Sequence, residues 1–238
     1  MKQELISIGE AASILGVSID TLRRWDKSGK LKPIKSKGGH RIYNRFQIEL
    51  FLNDLFGIAN DWVFNNIEMP PEFYCANSAV FQTRLAIMQG SLADIVELAS
   101  QFPLVVAAAG EIGNNSFDHN LGNWPDIPGI FFGYDLYKRA IVLADRGQGI
   151  LATLKRVKSD LSTHQEALKV AFTEILSGRS PEGRGNGLKF VRKIVSENSI
   201  DLLFKTGDAE LILAKDSDSL DIRPSAGSFR GCLALITF

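Results

Sequence analysis

The 238 residues are 45% hydrophobic and 23% charged, which excludes a disordered or low-complexity polymer and leaves room for one large domain or two small ones. Two cysteines, Cys75 and Cys232, with no Cys-x-x-Cys or Cys/His cluster, exclude a disulfide framework and offer no metal-ligand spacing. The 27 basic and 27 acidic residues cancel; the opening MKQELISIGE has no signal core and the apolar run Phe102–Ala109 is far short of the roughly 20 residues a membrane span needs, so a cytoplasmic protein with no membrane partner is expected.

The neutral total conceals a basic first segment. Residues 1–57 carry ten Lys/Arg against six Asp/Glu, and residues 58–238 carry seventeen against twenty-one. Between Leu22 and Arg45 nine basic residues stand beside a single acid, Asp26. Clustered cations neutralise phosphates and release counterions, which points to a polyanion partner for this segment; a solvated charged surface explains the charge alone equally well. Ser7 three residues ahead of Glu10, followed by Ala11, Ala12, Ile14 and Leu15, has the spacing of a capping box on a short helix that Gly16 ends. Ser18 then caps a second helix through Ile19, Leu22 and Trp25, which Gly29 ends. Such a pair has helix-turn-helix proportions, with Thr21, Arg23 and Arg24 on the open face of the second helix. Leu31–Lys37 and His40–Tyr43 flank Gly38-Gly39, a dipeptide able to take positive φ in a tight hairpin, giving a wing that bears Lys35, Lys37 and Arg41. A third helix from about Asn44 to Phe56, with Phe46, Ile48, Phe51, Leu52 and Leu55, is expected to pack on the first two.

The string IGEAASILGVSIDTLRRWDKSGKLKPIKSKGGHRIY resembles the winged helix-turn-helix of the MerR and excisionase families, across nearly all of residues 5–56. The resemblance implies double-stranded DNA as the partner, with the second helix in the major groove and the wing on the flanking backbone or minor groove. Ser18, Thr21 and Arg24 would contact bases or phosphates with Arg23 beside them, Lys35, Arg41 and Tyr43 would serve the wing, and Trp25 would belong to the core. MerR regulators continue into a long dimerising helix, whereas here the third helix gives way near Gly57. A short reading head makes few contacts, so the remaining chain is expected to supply dimerisation or a switch.

Residues 58–77, with Pro70-Pro71, are the expected linker between a DNA-binding domain at 1–57 and a second domain at 78–238, and Trp62, Phe64, Phe73 and Tyr74 point to packing within it. Val80, Leu85, Ile87, Leu92, Ile95, Val96 and Leu98 predict one helix, or two broken near Gly90. Pro103 restarts the chain, and Leu104–Asn120 reads as a long helix. On it Glu111, Asn115 and His119 fall at i, i+4 and i+8, within about 80° of one another. A carboxylate, an amide and an imidazole share that face, as they also would on an ordinary amphipathic helix. Ile130–Tyr134 and Ala140–Ala144 predict a strand hairpin that delivers Asp145 into the loop DRGQGI. Gly147 and Gly149 let the backbone approach a planar ligand, with the Asp145 carboxylate placed to accept from an amine. GRGNGL, residues 183–188, precedes the helical pattern Phe190, Val191, Ile194, Val195, and glycines opening a helix aim free N–H groups at phosphates. Neither a GxxxxGK[ST] P-loop nor a GxGxxG dinucleotide loop is present.

The ordered triplet, ExxxN on a helix, DxGxG after a strand and GRGNGL before a helix, resembles the GHKL ATPases, whose nucleotide site is the Bergerat fold, over roughly Phe102–Phe238. The resemblance implies ATP and Mg²⁺: Glu111 as general base, Asn115 holding the metal, Asp145 on the adenine amine, Gly147 and Gly149 shaping the pocket floor. It places Gly185 and Gly187, with Leu188, at the phosphates, beneath a mobile lid spanning about 151–182 that hinges at Gly178, Ser180 and Pro181. His119 matches the N-x-x-x-H of anti-sigma kinases and would line the phosphate side, or else simply satisfy the helix end beside Gly122; Arg184, Lys189 and Lys193 would assist. Ser116 stands where the family has alanine, Gly231-Cys232 where it has Gly-Thr, and residues 78–101 hold no phosphoacceptor histidine. The expected whole is an α+β chain, a winged helix-turn-helix followed by a GHKL-type α/β sandwich. As a function it implies a DNA-binding regulator with an ATP/Mg²⁺ switch, acting through a homodimer and with or without hydrolysis; the alternative is a serine/threonine kinase of the anti-sigma type acting on a partner protein.

Overall fold

The computed structural model describes residues 5–15, 17–28, 31–36, 38–45, 48, 55–65, 68–174 and 187–238. They fall into two units, Met1–Ile58 and Ala59–Phe238.

In the first unit, β1 (Leu5–Ser7) leads directly into α1 (Ile8–Leu15), followed by α2 (Ile19–Ser28), β2 (Ile34–Lys35) and β3 (Arg41–Asn44). The capping box forms: the Ser7 N–H donates to Glu10 Oε2 at 2.8 Å, and the Glu10 N–H donates to Ser7 Oγ at 3.2 Å. Ser18 Oγ accepts from the Thr21 N–H at 3.1 Å and opens α2. Gly39, at φ +76°, turns the β2–β3 hairpin, where the Ser36 N–H donates to the His40 carbonyl at 2.9 Å. Sequence reading missed β1, a strand too short to signal itself; it pairs antiparallel with β3 and makes a three-stranded sheet in the order β1-β3-β2. Ile6, Ala11, Ala12, Leu22, Leu31, Tyr43 and Ile48 form the core. Gly16, Gly29, Lys37 and most of the expected third helix lie outside the described residues.

α3 (Leu55–Asn65) crosses the division between the units by number. After it come β4 (Tyr74–Cys75), α4 (Ser78–Ala93), a 3₁₀ turn (Val96–Leu98), α5 (Phe102–Asn120), β5 (Ile130–Asp135), β6 (Ala140–Asp145), α6 (Gly149–Leu154), α7 (His164–Thr173), α8 (Gly187–Ser196), β7 (Asp201–Leu213) and β8 (Asp221–Thr237). One antiparallel sheet runs β4-β5-β6-β8-β7. Its helix-covered face contributes Ile130, Phe132, Ile141, Leu143, Leu202, Phe204, Ala234 and Ile236 to the core. Phe131, Val142, Ala144 and Leu233, which alternate with these, are buried as well, and Phe73 packs on Phe131 at 4.9 Å. Burial of both faces explains the continuous apolar runs of β5 and β6. The second unit is therefore an α/β sandwich, and the chain as a whole is α+β.

Three expectations need correction. The stretch expected as a linker carries most of α3 and all of β4, with Ala59, Trp62, Val63 and Cys75 buried, because its apolar side chains form part of the second unit. Of the two alternatives at Gly90 the single helix holds, α4 running unbroken through it, and what needs correcting is its apolar face: the side chains it buries are Phe81, Leu85, Met88 and Leu92, while Ile87 is 58% exposed and Val96 beyond it 84%. The described part of the expected lid holds α6 and α7, packed through Leu161, Ala167 and Val170; the hinge positions Gly178, Ser180 and Pro181 lie outside the described residues. Among the described residues no helix is long and apolar enough to cross a membrane.

Candidate functional site

Small residues on α5 let α4 approach closely: a Cβ at Gly113 would lie 2.2 Å from the Phe81 ring, and one at Gly110 would lie 3.3 Å from Leu85. That packing fixes the rotation of α5. Its Ile112, Asn115, Ser116, His119 and Asn120 then line a cleft together with Asp145 at the end of β6, Gly149, Ile150 and Thr153 of α6, Leu188 of α8, Phe204 of β7 and Cys232 of β8. Chain segments around 112–120, 145–150 and 188 thus meet at one hollow. Its volume is about 40 Å³, room for a few waters and less than a purine ring occupies, so a nucleotide base would enter only after the walls part.

Asp145 is 1% exposed. Its Oδ1 accepts from the Gly147 N–H at 2.8 Å and its Oδ2 from the Ser116 hydroxyl at 2.7 Å. Burial pushes its carboxyl above the ordinary range, while the bonds from Ser116, Gly147 and the Cys232 N–H pull the other way. The loop that follows is locked from α5. Asn120, 4% exposed, accepts from the Gln148 N–H through Oδ1 at 2.8 Å and donates through Nδ2 to the Ser116 carbonyl at 2.8 Å. A Cβ at Gly147 would stand 2.1 Å from the Asn120 amide, so glycine is required there. Gly149, at φ +77°, lies against Thr206. Thr206 Oγ1 donates to the Gly231 carbonyl at 2.8 Å and accepts from the Ile150 N–H at 3.3 Å. Cys232 Sγ lies 3.8 Å from the same hydroxyl, and burial followed by the neighbouring Asp145 raises its thiol well above the usual range.

Gly187 brings the other expected residues together: a Cβ there would lie 2.6 Å from Glu111 Oε2 and 3.1 Å from Asn115 Nδ2. Glu111 thus borders the α8 N-terminus without lining the cleft itself. Gly185 and Arg184 lie outside the described residues. Lys189 donates to the Glu174 carbonyl and Lys193 pairs with Glu197 at 4.0 Å, so the described contacts of both lie away from the cleft. Ser116, Asn120 and Thr206 are the residues sequence reading missed as supports of this site. Only the departure from alanine at 116 hinted at one of them. A larger hollow of about 380 Å³ shares Gly149 with the cleft but contains none of the other residues expected to bind nucleotide; His164, bonded to Asp208 at 2.7 Å, lines it.

In the first unit Ser18 and Thr21 join hydroxyls at 2.9 Å, and Arg24 donates to Thr21 Oγ1 at 3.2 Å. Arg23 pairs with Asp20 at 2.8 Å, and Lys35 is exposed on β2. Arg41 Nε is held by Asp26 at 2.7 Å, which ties the hairpin to α2. Tyr43 corrects the expectation of a wing contact: pairing of β1 with β3 sets it opposite Ile6, where it is 0% exposed and its hydroxyl has no partner among the described residues.

Residues 7–43 match the family described as MerR family regulatory protein. The Type II methyltransferase M.Eco47II of Escherichia coli is 40% identical over 63 residues, 26% of this chain and 15% of the methyltransferase. Two proteins of Acanthamoeba polyphaga mimivirus named as resolvases are 54% identical over 35 residues, 15% of this chain and 18% of each resolvase. The matches therefore span under a fifth of these relatives. Among solved structures, the chain is similar to the 43K ATPase domain of Thermus thermophilus gyrase B in complex with an aminocoumarin, with a TM-score of 0.34 and 16% identity over 55% of this chain and 32% of that one. The first unit carries a MerR-like helix-turn-helix, joined to an α/β sandwich.

Proposed function

We propose that this chain is a cytoplasmic DNA-binding regulator whose first unit is the reading domain and whose second unit, Ala59–Phe238, is a GHKL-type ATP- and Mg²⁺-binding switch. The observation that carries it is the buried Asp145 carboxylate, held on both oxygens by N–H and O–H donors and facing a cleft that Asn115 and His119 also line. The donor set fits adenine: a fixed acceptor for an exocyclic amine, and glycines at 147 and 149 where a side chain would meet Asn120 or Thr206. Gly187, beside Glu111 and Asn115, fits phosphates at a helix N-terminus in the same way.

On this reading Asp145 holds the adenine amine and Gly147 and Gly149 admit the ring. Gly187, Leu188 and His119 border the phosphates, Asn115 would hold Mg²⁺, and Glu111 takes a proton from the attacking oxygen. Bound Mg·ATP would supply a phosphoryl group ready for transfer. Ser18, Thr21, Arg23, Arg24, Lys35 and Arg41 would face the DNA, and nucleotide would set self-association. Doubling the reading heads raises effective concentration and tightens binding by roughly 10²–10⁴. Footprinting with and without Mg·ATP, alongside calorimetric ATP titration of wild type and Asp145→Ala, tests this. We expect ATP-dependent occupancy and loss of ATP binding in the variant; equal occupancy in both states removes the switch. The presence of His119 in the cleft, four residues beyond Asn115, favours a second reading, a serine/threonine kinase of the anti-sigma type. That reading requires label to pass from γ-labelled ATP to a partner protein and not to water.

A further inference from the structure

We infer that Ser116 is the positioning residue that makes the cleft select adenine over guanine, an inference that rests on the ATP reading above. Asp145 Oδ1 is held by the Gly147 backbone N–H, which the fold supplies whatever the side chains are. Oδ2 is held by a side chain, the Ser116 hydroxyl at 2.7 Å. That hydroxyl has a single proton to donate, and the alternative acceptor, the Ile112 carbonyl, lies at 3.4 Å. The proton goes to the Asp145 oxygen, which is by far the nearer acceptor. Among the described residues no donor reaches Ser116 Oγ, so its lone pairs stay unused on a residue that lines the cleft.

A ligand edge arriving at Asp145 therefore meets two adjacent acceptors, Oδ2 and Ser116 Oγ, with no proton between them to offer. The two hydrogens of an exocyclic amine satisfy both. A ring carbonyl in the same place sets its lone pairs against theirs, and leaving buried acceptors unmet is what rejects a near-isosteric ligand. The neighbouring hydroxyls are already engaged: Thr153, which also lines the cleft, donates to the Gly149 carbonyl at 2.9 Å, and Thr206 donates to Gly231 and accepts from Ile150. Cys232 offers a weakly bonding thiol, 3.8 Å from Thr206.

The experiment is displacement of a fluorescent ATP analogue by ATP and by GTP, with Mg²⁺, from the full chain as wild type, Ser116→Ala, Ser116→Thr and Asp145→Ala, with melting of each ligand-free protein as the check on folding. Wild type should prefer ATP strongly. Ser116→Ala should lose about tenfold in ATP affinity with GTP affinity unchanged or improved, and Ser116→Thr, which restores the hydroxyl, should return the preference to within about threefold. Preference retained within twofold in Ser116→Ala overturns the inference, as does equal loss of both nucleotides in the Ala and Thr variants, the signature of a merely structural role. If the wild type binds neither nucleotide, or Asp145→Ala binds ATP as the wild type does, the ATP reading itself fails and this inference falls with it.

Discussion

Asp145 places an ionisable carboxyl where the fold alone would be better served by a neutral side chain. Because burial raises its folded pKa above the unfolded value, whatever it contributes is fully present below the unfolded pKa and is lost as pH rises through the folded one. Ionising the buried carboxyl therefore works against the folded state. Asparagine keeps the shape: its oxygen can take the Gly147 N–H, and its amide can donate to Ser116. Asp145→Asn is therefore expected to raise the melting temperature of the chain at pH 8 and, on the ATP reading proposed above, to lose ATP binding. Melting curves at pH 8 decide it, and a variant that melts below the wild type contradicts that cost of ionisation. Sequence made Asp145, Gly147 and Gly149 legible because the spacing itself encodes the turn. Ser116 and Asn120 carry no such signal: their partners stand 29 and 28 residues away, and only the rotation of α5 over β6 brings them there. Tyr43 was misread for a related reason, since a strand residue's face depends on its register, and its partner strand β1 was not foreseen.

Among the elements, α7 depends on a local device. Thr163 Oγ1 accepts from the Glu166 N–H at 3.1 Å, and Glu166 Oε2 accepts from the N–H groups of Ser162 and Thr163 at 3.0 and 3.1 Å and from the Ser162 hydroxyl at 2.9 Å. The Ser162 N–H, with the other donors, brings the Glu166 carboxyl down to about 2. A depressed pKa gives stability that is present above the unfolded value of about 4.5 and is lost as pH falls from there toward 2. Glu166→Gln should accordingly melt earlier than wild type at pH 7, with the gap narrowing through pH 4 and closing near pH 2. A gap that is constant with pH would mean the charge plays no part. Helices also show where pattern reading misleads. Gly90 leaves one helix or two open by pattern alone, and packing decides it: an exposed glycine with open space around it only weakens a helix by about 0.5–1 kcal/mol, less than the burial of Phe81 and Met88 on the same helix contributes. Gly113, which carried no such signal, is the glycine the packing requires.

At the level of the whole molecule, the question is how a ligand at the Asp145 loop could be felt beyond the second unit. α3 begins at Leu55, before the division at residue 58, and ends at Asn65 beyond it. Its Trp62, 2% exposed, lies under the Arg146 guanidinium at 5.7 Å, and Arg146 also pairs with Asp126. Two residues on, Phe64 meets Phe229 of β8 at 4.8 Å. Arg146 stands between Asp145 and Gly147 in sequence but does not line the cleft, so it touches the helix and leaves the ligand to its neighbours. A loop that shifts when the walls part for a purine would drag α3 through this contact. Replacing the guanidinium by an apolar side chain of similar length removes the charge from the Trp62 face while keeping most of the bulk. On the switch proposed above, Arg146→Met should therefore bind ATP within about threefold of wild type, yet lose most of the ATP-dependent change in DNA affinity that the switch requires of the wild-type chain. Fluorescence anisotropy of labelled DNA, titrated at one salt concentration with and without Mg·ATP, measures both proteins on the same scale. An Arg146→Met chain whose DNA affinity still responds to ATP as fully as wild type would show that the signal leaves the Asp145 loop by another route.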